Sequence, residues 1–336
     1  MKKSWKEKAT DYLPSVEEFL RKIVGEGEGE LSRHYGMMRY HMGWADEELR
    51  PITAPAGKRL RPLLCLLSCE AAGGNWEEAI PAAAALELVH NFSLVHDDIQ
   101  DRSPFRRHRP TVWKLWGEAL AINVGDALLI LACRAMEKVP KEKFRECCQI
   151  LIDACLMLTE GQFLDLTFEK KERVVLEEYM EMIRRKTAAL IAASAQIGAT
   201  IATDERRIVE RFRSFGENLG MAFQVQDDIL GLWGDEAVTG KPVADDLRQR
   251  KKTLPIIYAM EKDPRLLSLM AQVKWGEGEV AEALEIINRS GAKEFAQAQA
   301  FSFYEKALEE LAGLGQDSEA MQALRDLASF MVGREY

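Results

Sequence analysis

Residues 150–158 have the sequence ILIDACLML, in which apolar side chains recur every three to four positions. This spacing places them on one face of an α-helix. The segment lies in a 101-residue interval without proline, between Pro140 and Pro242. Because proline inside a helix costs about 3 kcal/mol, this interval is free to form long helices. No convincing alternating strand pattern occurs elsewhere, so the sequence predicts an all-α fold.

Glycine and proline clusters divide the remaining chain into helical segments. They lie at residues 25–29, 51–57, 73–75, 103–110 and 234–242. None of them resembles an interdomain linker in composition, and no internal repeat is evident. We therefore predict a single domain over residues 1–336, built as a bundle of roughly ten to thirteen helices.

The overall charge restricts the possible ligands. The chain has 336 residues, 47% of them hydrophobic, and its 45 basic and 54 acidic side chains give a net charge of −9. An acidic protein does not attract nucleic acid or anionic membranes over its whole surface. We predict no nucleic-acid partner, and any anionic ligand must be bound by a local cationic patch.

Other sequence features predict a cytoplasmic protein. The first thirteen residues are charged throughout and lack the apolar region of a secretory signal. The uncharged run 187–203 is too short and too polar for a membrane span, so we predict a buried helix there and no integral membrane protein. Six cysteines have no zinc-site spacing and are expected to be small core residues in a reducing compartment: Cys65, Cys69, Cys133, Cys147, Cys148 and Cys155.

The strongest local signal is the acidic sequence DDIQD at residues 97–101, which ends an apolar helical run. Asp97 and Asp101 are four positions apart and therefore share one helix face. Three acids at a helix C-terminus oppose the helix dipole, which makes a merely solvated helix end a weaker explanation. Paired carboxylates without thiols favour Mg²⁺.

A second acidic pair follows about 130 residues later, and both pairs have basic residues nearby. The sequence FQVQDD ends in Asp227 and Asp228. Arginine and lysine are suited to holding phosphate oxygens. The basic residues in question are Lys58, Arg61, Arg106, Arg107, Arg109, Lys241, Lys251 and Lys252. Each alone could be a surface residue, but together with the acidic pairs they suggest a cavity whose rim binds a polyphosphate through metal ions.

In the order of these acidic and basic motifs, the chain resembles the trans-isoprenyl diphosphate synthases, which form the polyprenyl synthetase family. The resemblance is strongest to the short-chain geranylgeranyl and farnesyl diphosphate synthases. The resemblance runs from about Lys58 to Thr253 and beyond. Its motifs are residues 57–62, 94–101 with Arg106 and Arg107, 186–187, 223–228 and 239–241. It implies an isoprenoid-synthase bundle around a central apolar cavity, a homodimer, and condensation of isopentenyl diphosphate with dimethylallyl, geranyl or farnesyl diphosphate.

The resemblance also implies a role for each motif residue. Three Mg²⁺ ions per site would be bound by Asp97, Asp101 and Asp227, with Asp98 and Asp228 as supporting carboxylates. The allylic diphosphate would be held by Arg106, Lys186 and Lys241, assisted by Thr187, Gln224 and Lys251. Isopentenyl diphosphate would be held by Lys58, Arg61, His90 and Arg107. Without the resemblance, His90 would be interpreted as a core histidine and Gln224 as a helix-surface amide.

One position departs from the family pattern. The second motif often ends in a third aspartate, and here that position is Gly231. This departure leaves open a non-catalytic partner subunit as an alternative to an active enzyme. Asp235 could compensate, but Gly234 before it indicates that the helix has ended.

Product length is expected to depend on Phe92 and Ser93, which precede the first motif. In the family a bulky residue at the first of these positions limits chain growth. An aromatic followed by a small residue is similar to enzymes that make the twenty-carbon product, geranylgeranyl diphosphate, with farnesyl diphosphate as the nearest alternative. Phe92 could also be plain core packing, since helical rotation places it about 140° from Asp97.

Two other classes of function are less consistent with the sequence. A di-iron carboxylate bundle needs two Glu-x-x-His elements on separate helices, and only residues 87–90 provide one. A carbocation cyclase or head-to-head synthase of the same fold is disfavoured by the elements at Lys58–Arg61 and Lys186–Thr187, which look more like chain elongation.

Overall fold

The computed structural model describes residues 4–54, 57–235, 244–272, 275–315 and 317–333. The first helices are α1 (Trp5–Val24), α2 (Leu31–His41), α3 (Leu60–Ala71), α4 (Ile80–Gln100), α5 (Val112–Trp116), α6 (Glu118–Met136) and α7 (Lys141–Lys170). A 3₁₀ turn at Trp76–Ala79 precedes α4. The later helices are α8 (Leu176–Ile183), α9 (Ala189–Ala202) and α10 (Arg206–Trp233), then Asp245–Arg248, Leu254–Lys262, Pro264–Met270, Glu277–Arg289, Ala292–Ala312 and Glu319–Val332.

The prediction of an all-α fold is confirmed. In the part of the chain that the structure describes, the only sheet is a hairpin of two short strands, β1 (Phe105–Arg106) and β2 (Arg109–Pro110). The helical segments outnumber the predicted ten to thirteen. Pieces of one turn or little more, such as Asp245–Arg248, are too short for apolar periodicity to reveal them.

The chain divides into two compact units. The first comprises Met1–Ile152, Ser194–Val209 and Asp317–Leu324. The second comprises Asp153–Ala193, Glu210–Gln316 and Arg325–Tyr336. Helices α7, α9, α10 and Glu319–Val332 each contribute residues to both units, so no linker in the sequence separates them. The single domain over residues 1–336 stays a prediction.

Helix α4 is the central element of the first unit. Every residue from Pro81 to Val89 is buried, so the helix is covered on all sides. It packs mainly against α6 and α3 and also against α1. The helix ends at Gln100, which places the first acidic motif at the end of this buried helix.

The second unit is built around α8 and the later part of α10. Its core includes Tyr179, Met182, Val225, Ile229 and Leu254, all of them buried. Between α8 and α9 the backbone forms a π-helical turn over Arg184–Ala188. The run 187–203, predicted to be a buried helix, begins in this turn, and most of it is buried α9. π-Helical turns inside α-helices occur frequently at functional sites.

Helices α6 and α7 are long and apolar enough, by length and composition alone, to cross a membrane. Less than half of the most apolar 18-residue stretch of each helix is buried. Their exposed apolar side chains are Leu120, Ile122, Ile130, Phe144, Ile152, Leu156 and Phe163. All six cysteines are free thiols, but the prediction of core positions is wrong for Cys133, which is exposed three residues after Ile130.

Candidate active site

The first acidic motif separates its two adjacent carboxylates. Asp98 is buried, and its Oδ1 accepts a hydrogen bond of 2.8 Å from Nε of Arg106. Burial raises the pKa of Asp98 to about 6, although the charge of Arg106 opposes this shift. Asp97 is half-buried and Asp101 is exposed. The motif thus points one carboxylate into the protein and leaves the two predicted metal ligands more accessible.

A strained hairpin presents Arg106 and Arg107. The strands pair Arg106 with Arg109, which leaves a two-residue turn formed by Arg107 and His108. Both turn residues have positive φ, 51° and 60°. Such turns favour Asn-Gly, and residues with a side chain in this conformation commonly cluster at binding sites. The positive φ angles are locally unfavourable in energy, and the turn that they form fixes the position of the Arg107 guanidinium.

Arg59 anchors the basic element at the start of α3. Its terminal nitrogens contact Glu87 at 2.6 Å and Glu17 at 3.3 Å, and the Arg59–Glu87 pair is almost fully buried. Removing one partner of such a pair typically costs about 3–5 kcal/mol. This anchor holds the segment that carries Lys58 and Arg61. It also gives Glu87 a structural role, in agreement with setting aside a di-iron site.

Glycine at position 57 makes room for Arg107. The residue has φ +91°, and an added Cβ would lie 3.1 Å from a terminal nitrogen of Arg107. The predicted isopentenyl diphosphate residues Lys58 and Arg61 follow in the same segment. The structure therefore brings Arg107 next to the start of this basic element.

His90 and His41 lie in strongly cationic surroundings. Burial, and then the charges of Arg61 and Arg107, hold the pKa of His90 well below its usual range. Burial and the nearby arginines do the same for His41. Within the described residues, Nε of Arg61 and Nε2 of His41 are buried without a hydrogen-bond partner. Neutral imidazoles and a buried guanidinium with an unused donor form a place where an anion would gain strong hydrogen bonds.

Phe92 and Ser93 are both buried, with exposed fractions of 6% and 8%. The Phe92 ring contacts the ring of His96 edge to face, with centroids 5.2 Å apart. The Ser93 hydroxyl donates to the carbonyl of His90 at 2.8 Å. Burial agrees both with lining a cavity and with core packing, so the chain-length role stays a prediction.

In the second unit, the second acidic motif repeats the arrangement of the first. Asp227 is exposed, whereas Asp228 is 2% exposed. The Asp228 carboxylate accepts hydrogen bonds from Tyr179 Oη at 2.5 Å, from Gln224 Nε2 at 3.0 Å and from the backbone N of Leu254 at 3.2 Å. Burial raises the pKa of Asp228 to about 7 in spite of these donors.

The π-helical turn connects the Lys186–Thr187 pair to this motif. Thr187 Oγ1 donates to Gln224 Oε1 at 2.8 Å, and Gln224 in turn binds Asp228. Lys186 Nζ contacts Asp165 Oδ2 at 2.5 Å. Thr187, which lies 37 residues before Gln224, therefore forms one hydrogen-bonded chain with Gln224 and Asp228.

Lys251 is exposed, and its backbone N donates to the carbonyl oxygen of Asp246 at 2.9 Å. Lys241, predicted to hold the allylic diphosphate, lies outside the described residues, as does the rest of the predicted 239–241 motif.

Sequence reasoning missed several residues that position this chemistry: His41, Arg59, Tyr179 and Asp165. His41, Tyr179 and Asp165 lie beside motif residues that are distant in the chain. Arg59 lies within a motif, but its partners Glu87 and Glu17 are distant. A local pattern does not reveal such partners, because only the fold brings them together. The one available signal was polarity: Arg59 lies inside the basic element, and Tyr179 lies seven positions before Lys186 on a helical segment.

Comparisons with known proteins agree with the family that the motifs indicate. The polyprenyl synthetase family model matches residues 43–287. A (2E,6E)-farnesyl diphosphate synthase of Mycobacterium tuberculosis is 40% identical over 307 residues, covering 89% of this chain and 86% of that protein. A geranylgeranyl diphosphate synthase of Methanosarcina mazei is 37% identical over 311 residues, covering 88% and 95%. The crystal structure of a geranylgeranyl pyrophosphate synthetase from Pyrococcus horikoshii has a TM-score of 0.87 and 37% identity, covering 98% of both chains.

Proposed function

Because the chain belongs to the polyprenyl synthetase family, as its motifs predicted, we propose that it is a short-chain, head-to-tail trans-prenyltransferase. The observation that carries the proposal is the cluster of two arginines, Arg61 and Arg107, with the neutral imidazoles of His90 and His41. A buried guanidinium with an unused donor is costly unless an anion binds to it. A diphosphate group supplies that charge and the matching oxygen acceptors.

In the proposed reaction, the C–O bond of an allylic diphosphate breaks and releases pyrophosphate. The double bond of isopentenyl diphosphate attacks the allylic carbon, and loss of a proton leaves a product five carbons longer. Arg61, His90 and Arg107, with Lys58, would hold the diphosphate of isopentenyl diphosphate. Their fixed positions would align the double bond with the reacting carbon.

The other cations would bind the allylic substrate. Arg106 uses one of its five N–H donors on Asp98, and Lys186 pairs with Asp165. Both side chains are therefore oriented by a buried or half-buried carboxylate before substrate arrives. Together with Lys241, and assisted by Thr187, Gln224 and Lys251, they would stabilise the charge that develops on the leaving pyrophosphate.

The donor set of the acidic motifs fits Mg²⁺. Asp97 and Asp101 share a helix face, and Asp227 is exposed, so all three can offer hard oxygen ligands. In the described ranges, no group of three or more His, Cys, Asp or Glu side chains is arranged to hold a metal ion alone. Mg²⁺ commonly binds through one or two carboxylates together with substrate phosphates. We therefore propose Asp97, Asp101 and Asp227 as ligands that act with a bound diphosphate, and three ions per site. When bound, Mg²⁺ would neutralise the charge of the leaving group.

We propose geranylgeranyl diphosphate as the main product. Phe92 is large enough to stop a growing chain, while the small Ser93 beside it leaves more room than a second aromatic residue would. Relatives named for farnesyl and for geranylgeranyl diphosphate are similarly close, so farnesyl diphosphate is the nearest alternative.

We further propose a cytoplasmic homodimer. Four exposed apolar side chains form one stripe along α7: Phe144, Ile152, Leu156 and Phe163. They follow one another at intervals of eight, four and seven residues, which places them on one helix face. Exposed apolar surface of this kind usually marks an interface, and a second copy of the chain presents the same stripe for pairing. Six free thiols support a reducing compartment.

Incubation of the purified protein with isopentenyl diphosphate, Mg²⁺ and each allylic primer tests the proposed function. Chromatography of the dephosphorylated products should show a twenty-carbon alcohol as the main species. Absence of any product from the protein alone would favour the non-catalytic partner subunit that Gly231 leaves open.

A further inference from the structure

We infer that Asp246 supplies the carboxylate that the second acidic motif lacks at position 231. The inference rests on the proposed function, because it concerns the Mg²⁺ and diphosphate site of that function. It explains how Gly231 can occupy a position where the family often has an aspartate.

The carboxylate of Asp246 occupies the space of the missing side chain. A Cβ built on Gly231 would lie 1.9 Å from Oδ2 of Asp246 and 2.6 Å from its Cγ. A side chain at position 231 would fit only if the carboxylate of Asp246 turned away from this place. An aspartate at position 231 would place its own carboxylate within about one or two bond lengths of this Cβ. The absence of a side chain at Gly231 therefore leaves a space on α10, and the carboxylate of Asp246 occupies it.

The position lies on the face of α10 that carries Asp227. Residues 227 and 231 are four apart in a continuous helix, and side chains with this spacing are about 5–6 Å apart. A carboxylate that replaces the side chain of residue 231 is thus in reach of the same ion as Asp227. Asp235, the other candidate, follows the end of α10 at Trp233 and is not part of the helix.

The surroundings of Asp246 support this placement. The residue is 8% exposed, so its side chain is held rather than mobile in solvent. Its carbonyl accepts from the backbone N of Lys251, a residue proposed to assist with the allylic diphosphate. Asp246 and Lys251 therefore belong to one short hydrogen-bonded segment of the backbone.

One single and two double variants test the inference. They ask whether a carboxylate at position 231 of α10 can replace the carboxylate of Asp246. Asp246→Ala removes the group, and Gly231→Asp in that background restores a carboxylate in the vacated space. Gly231→Asn in the same background is the matched control, because it has the same shape without the charge. The probe is Mg²⁺ titrated in the presence of inorganic pyrophosphate, with the rise in melting temperature as the readout. Melting without ligand checks that each variant is folded.

Asp246→Ala should raise the Mg²⁺ concentration at half-maximal stabilisation by about tenfold to a hundredfold, the usual effect of losing a carboxylate at or next to a metal. The Gly231→Asp/Asp246→Ala variant should return the midpoint to within a few-fold of the original protein, and the Gly231→Asn/Asp246→Ala variant should not. An unchanged midpoint for Asp246→Ala, or equal rescue by asparagine, overturns the inference.

Product formation by the unsubstituted protein separates this inference from the proposed function. If the protein makes prenyl products while Asp246→Ala keeps the original midpoint, the inference alone is wrong. If the predicted midpoints are found without any prenyl product, the inference stands and the proposed function falls. If Mg²⁺ and pyrophosphate do not stabilise the original protein, the inference is wrong, and if it forms no prenyl product either, both are wrong.

Discussion

Replacement of Gly161 by alanine should displace Lys186 without removing its charge. The variant therefore tests how strongly turnover depends on the position of Lys186. Gly161 is buried in α7, and an added Cβ would lie 2.2 Å from the backbone N and 2.6 Å from the Cα of Lys186. Normal contacts between carbon atoms are about 3.5–4.0 Å. The π-helical turn would have to move by about 1 Å, since the contacted atoms are backbone.

Two opposing terms set the expected change in stability. Forcing a methyl group into a packed site costs about 1–3 kcal/mol. Alanine in place of glycine inside a helix recovers about 0.5–1 kcal/mol. The free energy of unfolding of Gly161→Ala should therefore fall by about 0.5–2 kcal/mol. A misplacement of about 1 Å in a group that holds the substrate can lower turnover by about a hundredfold.

Urea denaturation measures the free energy of unfolding, and initial rates of product formation measure turnover. Gly198→Ala is a matched control, because its Cβ would lie 2.1 Å from the backbone oxygen of Cys65, at a place without a proposed substrate contact. It should lose similar stability and keep turnover within a few-fold. Gly278→Ala, where nothing lies within 4 Å, should be as stable as the original protein or slightly more so.

The reasoning would be refuted if Gly161→Ala kept both its stability and its turnover. It would also be refuted if Gly198→Ala lost turnover to the same degree, because the loss would then follow from destabilisation and not from the position of Lys186.

Four further predictions concern the motifs and the apolar surface. Asp97→Ala should lower turnover by orders of magnitude while the melting temperature without ligand stays close to that of the original protein; near-normal rates would contradict its role as a metal ligand. Phe92→Ala should lengthen the products seen by chromatography, and unchanged lengths would leave Phe92 as core packing only. The raised pKa of Asp228, about 7 through burial, means that its stabilising contribution is complete below the unfolded pKa near 4 and is lost as pH rises towards 7. In metal-free buffer this gives a slope of about 1.4 kcal/mol per pH unit that Asp228→Asn should remove. Ile152→Asp should convert a dimer into monomers in sedimentation velocity, and an unchanged dimer would exclude the α7 stripe as its interface.

The helices could be predicted from the sequence where they are long, and the short connections could not. In residues 150–158 the apolar spacing and the absence of proline agree, and α7 forms there as one helix of 30 residues. The hairpin at residues 105–110 carries no such signal. Its turn consists of Arg107 and His108, residues that local preferences disfavour at positive φ, so only the surrounding fold explains it.

The candidate site shows the same division. The acidic pairs and their basic neighbours lie close together in sequence, and motif spacing was enough to single them out. Tyr179 and Asp246 were not predicted, because their importance depends on contacts with Asp228 and Gly231, which are 49 and 15 residues away in the sequence. In the sequence, Gly231 indicated that the second motif lacks a carboxylate. In the folded chain, the carboxylate of Asp246 occupies the space beside Gly231.

The two acidic motifs have the same arrangement of one accessible and one buried aspartate, and this arrangement determines how each aspartate can act. In both, the first aspartate is more accessible than the second, which is 2% exposed and bound by protein groups. Arg106 binds Asp98, and Tyr179, Gln224 and the backbone of Leu254 bind Asp228. A carboxylate whose lone pairs already accept such hydrogen bonds is a poor additional ligand, but it fixes the helix end on which its neighbour stands. This supports assigning metal binding to Asp97 and Asp227 and support to Asp98 and Asp228. A consequence is that alanine at 98 or 228 should lower stability as well as turnover, whereas alanine at 97 or 227 should lower turnover alone.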